Sequence, residues 1–276
     1  MKTARISYFI SILLFVGFQS FAFAIDSLTH FGAETPALTA VPKVFRVLDW
    51  NVHKGANKAL TTDFATIGQG VHFSLFQEAV ENDLWTANLT QAQPILRWSL
   101  VRSFFSQKES DYHGYTGVAL GSMVASLQET PLISTVTEPF SNTPKTALVA
   151  EYAIEGSAET LLVINVHMIN FVGDGPFITQ LGQIIDTAKN HKGPLLMAGD
   201  FNTWSDSRIF RLAQAAKALG TERIPMDNYY SSPIIYPYDH IFIRGLKVRS
   251  AQTLKNIQTS DHLPLVVELE IVPPQG

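Results

Sequence analysis

Apolar runs closed by short polar clusters set the pattern of this chain. Val44-Phe45-Arg46-Val47-Leu48 leads into Asp49-Trp50-Asn51, and Phe73-Ser74-Leu75-Phe76 into Gln77-Glu78. Leu161-Leu162-Val163-Ile164 leads into Asn165-Val166-His167, and Pro194-Leu195-Leu196-Met197-Ala198 into Gly199-Asp200-Phe201-Asn202. Ile234-Ile235-Tyr236 precedes Asp239-His240 more weakly, while Ser260-Asp261-His262 stands before its apolar run, Leu263 to Leu269. Short apolar runs bounded by turn signals read as buried strands. Helical spacing occurs at Ala59, Leu60, Phe64 and Ile67, at Ile178, Leu181, Ile184, Ile185 and Ala188, and from Phe210 to Leu219, where Gly220 is a stop signal. Trp98 to Phe105, Gly117 to Ala125, Leu132 to Val136 and Ala147 to Ile154 read as further strands. Such a mixture predicts sheets packed inside helices and not a simple βαβ repeat.

Carboxylates, carboxamides and imidazoles are costly at the ends of buried strands unless they pair or bind a metal. The repeated clusters therefore predict one convergent polar site. Asn51, Glu78 and Asp261 are hard oxygen donors, the type preferred by magnesium or manganese. Each cluster also has a plain structural explanation. Asn51 alone fits a turn, Gly199-Asp200-Phe201-Asn202 fits an Asx turn, Glu78 fits a solvated strand end, and a single histidine such as His167 is more often structural than catalytic.

The order of the clusters, Trp50-Asn51, Gln77-Glu78, Asn165-Val166-His167, Gly199-Asp200-Phe201-Asn202, Asp239-His240-Ile241 and Ser260-Asp261-His262-Leu263-Pro264, resembles the endonuclease/exonuclease/phosphatase superfamily, the DNase I-like metal phosphoesterases. The resemblance spans Phe45 to Leu269. Within it, Trp50 to Lys54, Lys145 to Leu148 and Gly199 to Trp204 are most similar to a poorly characterised bacterial branch. The resemblance implies an α/β fold, a four-layer sandwich of two stacked mixed β-sheets flanked by helices. It also implies a divalent metal, Mg2+ with Mn2+ as the alternative, at Asn51, Glu78 and Asp261. Asp200 would position or deprotonate a water, and Asn202 and His167 would contact the phosphate. His262, oriented by Asp239, would accept from water or face a phosphate oxygen. Gln77 and Asn165 read as supports, and His240 would point away from the site on an alternating strand.

Lys2 and Arg5 precede an apolar run from Tyr8 to Phe18 and then Ala22-Phe23-Ala24, the order of a secretory signal peptide cleaved after Ala24. Ser11, Gly17, Gln19 and Ser20 break the run, whereas a membrane anchor needs about 20 continuous apolar residues. The expectation is an exported protein, periplasmic or secreted, with residues 1–24 as signal, 25–42 as a leader before the first strand and 43–276 as one domain. The lack of cysteine excludes disulfides and thiol catalysis.

With 20 basic against 24 acidic residues, the chain announces no basic face for duplex nucleic acid. The expected activity is metal-assisted hydrolysis of a phosphoester, possible substrates including DNA or RNA, by a monomer. Lys54, His113 and Arg244 would supply local phosphate contacts. A lipid phosphodiesterase of the sphingomyelinase type would need an exposed apolar hairpin, and Pro139 to Pro144 is short and polar. A small-molecule phosphatase needs neither basic face nor hairpin. A catalytically silent binding module would show damaged clusters, and these are intact in residue type.

Overall fold

The computed structural model describes residues 27–106, 113–139, 141–227 and 236–272. The N-terminal segment, Ile234-Ile235 and Phe140 lie outside them. Thirteen strands run in chain order as β1 (Leu28–Gly32), β2 (Val44–Asn51), β3 (Phe73–Glu81), β4 (Arg97–Ser106), β5 (Gly114–Ser122), β6 (Ser126–Thr137), β7 (Pro144–Ala153), β8 (Thr160–His167), β9 (Leu195–Asp200), β10 (Glu222–Arg223), β11 (Asp239–Arg244), β12 (Leu246–Thr253) and β13 (Leu265–Ile271). Among the described residues the α-helices are α1 (Leu60–Ile67), α2 (Asp83–Ala92), α3 (Asp174–Ala188) and α4 (Asp206–Ala218). The strands form a seven-stranded sheet, β1-β4-β5-β3-β2-β13-β12, and a six-stranded sheet, β10-β11-β9-β8-β7-β6. No described helix is long and apolar enough to cross a membrane.

Strand alternation builds the layers. Phe45 and Val47 of β2, Phe73 and Leu75 of β3, Leu161 and Val163 of β8, Leu196 and Ala198 of β9 and Ile241 and Ile243 of β11 share one buried cluster between the sheets. The intervening residues face outward. Leu48, Trp50 and Phe76 pack with Leu60, Phe64, Trp85 and Leu89 of α1 and α2. Ile164, Val166, Leu195 and Met197 pack with Phe177, Leu181 and Ile184 of α3 and Leu212 of α4. This is the four-layer α/β sandwich expected from the sequence.

Three local expectations change. The leader is structured: β1 pairs with β4, Phe31 stacks on Trp98 at 5.8 Å, and Leu38 and Val41 form bridges to Val124 and Ile154. Its five-residue strand is too short for periodicity to reveal. Helix α2 was also missed, since only Trp85 and Leu89 of it are buried. The side chain of Asn82, which accepts from Trp85 N, caps its start. Asp239 begins a strand instead of ending one.

Candidate active site

Strand direction gathers the polar clusters at one edge of the sandwich. β2 and β3 are parallel with Asn51 opposite Gln77, and β8 and β9 are parallel with His167 opposite Asp200. The C-terminal ends of these four strands therefore coincide. β11 runs antiparallel to β9, so its first residue, Asp239, lies opposite Asp200. β13 runs antiparallel to β2 with Leu265 opposite Asp49, which brings the preceding Asp261-His262 to the same edge. The loop is tied there by Trp50 Nε1 donating to His262 O at 3.0 Å and Ser260 Oγ donating to Asn51 O at 2.6 Å.

The two-residue period that fills the inter-sheet core also aims the site. Asp49 and Asn51, Gln77, Asn165 and His167, Asp200 and Asp239 each continue the inward-facing series of their strands. Gln77 Nε2 donates to Asp49 Oδ1 at 2.9 Å and to Asn165 Oδ1 at 2.8 Å. Asn165 Nδ2 in turn donates to Phe76 O and Ala119 O, so the amides lock one sheet to the other beneath the site. Burial, then Asp239, pushes the Asp49 carboxyl well above its ordinary range, against the pull of Gln77. His240 points outward, with Nε2 at 2.7 Å from Thr203 Oγ1 and its ring against Phe201 and Phe242.

Asp200 is the hub. Its Oδ2 accepts from Asn51 Nδ2 at 3.0 Å, and the Nε2 atoms of His167 and His262 stand 3.6 and 3.9 Å from that oxygen. Its Oδ1 accepts from Asn202 N at 2.9 Å, an Asx turn around Asn202, whose φ is 50°. Asp239 grips His262, with Nδ1 2.9 and 3.0 Å from its two carboxylate oxygens.

Charge follows from these neighbours. Burial lowers the proton affinity of His262, but Asp239 and Asp200 raise it more, up to about 10. Two carboxylates facing the ring favour the imidazolium over the proton acceptor that the resemblance implies. Burial raises the Asp200 carboxyl above its ordinary range, and His262 beside it pulls it back. Burial and then Lys145 hold His167 well below the ordinary histidine range, so its ring is neutral.

Glu78 reaches the cleft through a break in alternation. The β3–β5 register shifts between Phe76 and Ala79, and Glu78 takes a φ of 52°; such a bulge re-aims a side chain that would otherwise face the helical layer. Burial would raise its pKa, but positive charge beside it, from Lys54 and Lys145, holds it below the ordinary range, and Lys54 Nζ lies 2.6 Å from Oε2. An open cleft of about 380 Å³ is lined by Glu78, Asp261, Lys54, Lys145, His167, Asp200, Asn202 and His262, among others.

The oxygen set fits a hard dication. Glu78 is a fixed carboxylate, Asp261 shares the cleft with its side chain 59% exposed, and Asn51 Oδ1 accepts from His53 N at 3.1 Å with a second lone pair remaining. Asp200, Asp239 and His262 also bring three donor atoms within 4.8 Å of one another. There His262 Nδ1 is engaged by Asp239, as Glu78 is by Lys54, so at either place a metal would exchange with an ion-pair partner.

Several supports escaped the sequence reading. Arg208 on α4 is fully buried between Phe177 and Trp204, its Cζ 4.7 and 4.4 Å from the ring centroids. Its guanidinium donates to Ile169 O and Asn202 O at 2.9 Å and to Val172 O at 2.7 Å, fastening the loops after β8 and β9 together. Gln180 on α3 donates to His167 O at 2.9 Å and accepts from Ile169 N at 2.7 Å. A polar residue on the apolar stripe of a helix was the available signal for both. Of the expected phosphate contacts, Lys54 lines the cleft. Arg244 does not: it closes β11 at the end away from Asp239 and donates to Leu219 O, His191 O and Gly193 O. His113 lies outside the cleft lining, its ring against Phe105 at 6.4 Å.

Residues 50–262 match the model of the Endonuclease/Exonuclease/phosphatase family. A UPF0294 protein of Vibrio parahaemolyticus is 30% identical over 234 residues, covering 82% of this chain and 77% of its own. Among solved structures, an endonuclease/exonuclease/phosphatase from Beutenbergia cavernae superposes with a TM-score of 0.65 at 15% identity, over 83% of this chain and 72% of the other. The human Nocturnin catalytic domain with bound sulfate anion superposes with a TM-score of 0.64 at 17% identity, over 90% of this chain and 98% of that domain.

Proposed function

Because the chain belongs to the endonuclease/exonuclease/phosphatase family, we propose that it hydrolyses phosphodiesters, nucleotides or nucleic acids among them, with Mg2+ or Mn2+ held at Asn51, Glu78 and Asp261. The observation that carries this reading is the convergence of Asn51, His167 and His262 on one oxygen of Asp200, at a cleft that Glu78 and Asp261 also line. When bound, the metal would polarise the phosphate and offset charge on the departing oxygen.

The protein's own groups do the rest. Asp200, its carboxyl raised by burial toward the range of a useful base, takes a proton from water as the water oxygen bonds to phosphorus and the opposite P–O bond breaks. Asp239 fixes the His262 imidazolium toward the phosphoryl oxygens. Asn202 and the neutral His167 add N–H donors to the charge that develops there. Lys54 and Lys145 supply positive charge at the cleft wall. No covalent enzyme intermediate is required.

Incubation of the purified protein with magnesium and bis-p-nitrophenyl phosphate, single-stranded DNA, sphingomyelin vesicles and p-nitrophenyl phosphate tests the reading. Turnover of the first two is the expected result. Turnover of sphingomyelin or the monoester alone would replace it by the lipid or phosphatase alternative, and no turnover with intact metal binding would favour a silent module. We also infer export through residues 1–24, supported by the order of charged, apolar and small residues there. Retention of the full-length protein in the cytoplasmic fraction would contradict it.

A further inference from the structure

Phe171 stands at the mouth of the cleft and is 73% exposed, more than any other large apolar side chain among the described residues. A single exposed phenylalanine is ordinary. Two features set this one apart. Its φ is 52°, a left-handed conformation that a bulky residue holds only when its surroundings impose it. The surroundings do so on both sides. Asn170 N donates to Glu138 Oε1 at 3.0 Å, and Asn170 Oδ1 accepts from Trp204 Nε1 at 3.0 Å and from Phe171 N at 2.8 Å. The buried guanidinium of Arg208 holds Ile169 O before the turn and Val172 O after it. Hydrophobicity alone would fold this ring inward, and the clamp keeps it in water instead.

We propose that Phe171 is a stacking platform for a planar ring, a nucleobase being the fitting class, attached to the phosphoester held in the cleft. This rests on the phosphoesterase reading above and narrows its substrate. The cleft that Phe171 lines presents Asn170, Ser141, Thr143 and Lys145, with Phe104 and Tyr238 as its other aromatic residues. A lipid surface would call for a continuous apolar patch. An exposed aromatic face amid hydrogen-bonding groups suits a base, which offers a π-face and a polar edge together.

The test compares two diesters with the same leaving group, thymidine 5′-(p-nitrophenyl phosphate) and methyl p-nitrophenyl phosphate, with magnesium, on the wild type, Phe171→Ala and Phe171→Trp. Phe171→Ala should raise KM for the thymidine ester by about fivefold or more, the scale of a lost base–aromatic stack, while KM for the methyl ester stays within about twofold. Phe171→Trp should keep the thymidine preference. Equal changes for both esters, or none, overturn the proposal. Calorimetric binding of thymidine 5′-monophosphate and methyl phosphate, with calcium in place of magnesium, reads the same contrast without turnover. If nucleotide binding is selective and lost in Phe171→Ala but no ester is hydrolysed, the platform stands and the hydrolase reading fails. Equal binding of both phosphates by the wild type overturns the platform regardless of hydrolysis.

Discussion

At the scale of single residues, the site is governed by how neighbours set charge. Asp200→Asn removes the proton acceptor and His262→Ala removes the cation between Asp200 and Asp239. Each is expected to lower kcat by about a hundredfold or more, measured on bis-p-nitrophenyl phosphate, with melting curves confirming the fold. Arg208→Met keeps length and apolar stem but strips three backbone carbonyls of their donor. A loss of about 3 kcal/mol in urea unfolding is expected, since buried acceptors are then left unpaired; a loss under about 0.5 kcal/mol would mean that water replaces the guanidinium without cost. Residue types and order in the sequence pointed to Asp200, His262 and Glu78. The sequence did not carry their charge states, which depend on distances between residues as far apart as Asn51 and Asp200, nor the bulge that swings Glu78 into the cleft.

At the scale of elements, the strand ends must stay in register. Gly199 has φ +140°, and a Cβ there would lie 2.0 Å from Val166 O on the adjacent strand. Gly199→Ala should therefore push β9 from β8, shift Asp200 relative to His167, and reduce both Tm and activity. Activity unchanged in a folded variant would show that the pair tolerates displacement. His240 joins the same region from the outer face, and its pKa is lowered to about 4 by burial and then by Arg223. Its folded pKa lies below the unfolded 6.5, so the unfolded chain binds the extra proton as pH falls. The stability present above pH 6.5 is then lost between about 6.5 and 4, by up to about 3 kcal/mol. Urea midpoints across that range should fall in the wild type and fall less in His240→Gln; parallel curves would contradict it. The alternation that turns His240 outward was legible in Asp239-His240-Ile241. The strand β1 was not, because its five residues owe their place to Trp98 and β4, distant in sequence.

For the whole molecule, sheets packed inside helices were readable because each buried strand announces its apolar run and each polar cluster marks the same edge. The stacking of two sheets came from the resemblance, and the order of strands from neither source, since periodicity is blind to pairing. The placement of Asp239 shows why the two kinds of information differ: the residue types identify a site position, but only the antiparallel direction of β11 tells which end of the strand it occupies. The central proposal is that this edge is a divalent-metal phosphodiesterase site anchored on Glu78. It is tested most directly by titrating magnesium into the wild type and Glu78→Gln while following hydrolysis of bis-p-nitrophenyl phosphate. The predicted result is saturable, chelator-reversible turnover in the wild type and a loss of about a hundredfold or more in the variant, with a weaker apparent affinity for the metal. Superimposable titration curves, or turnover that persists in excess chelator, would contradict it.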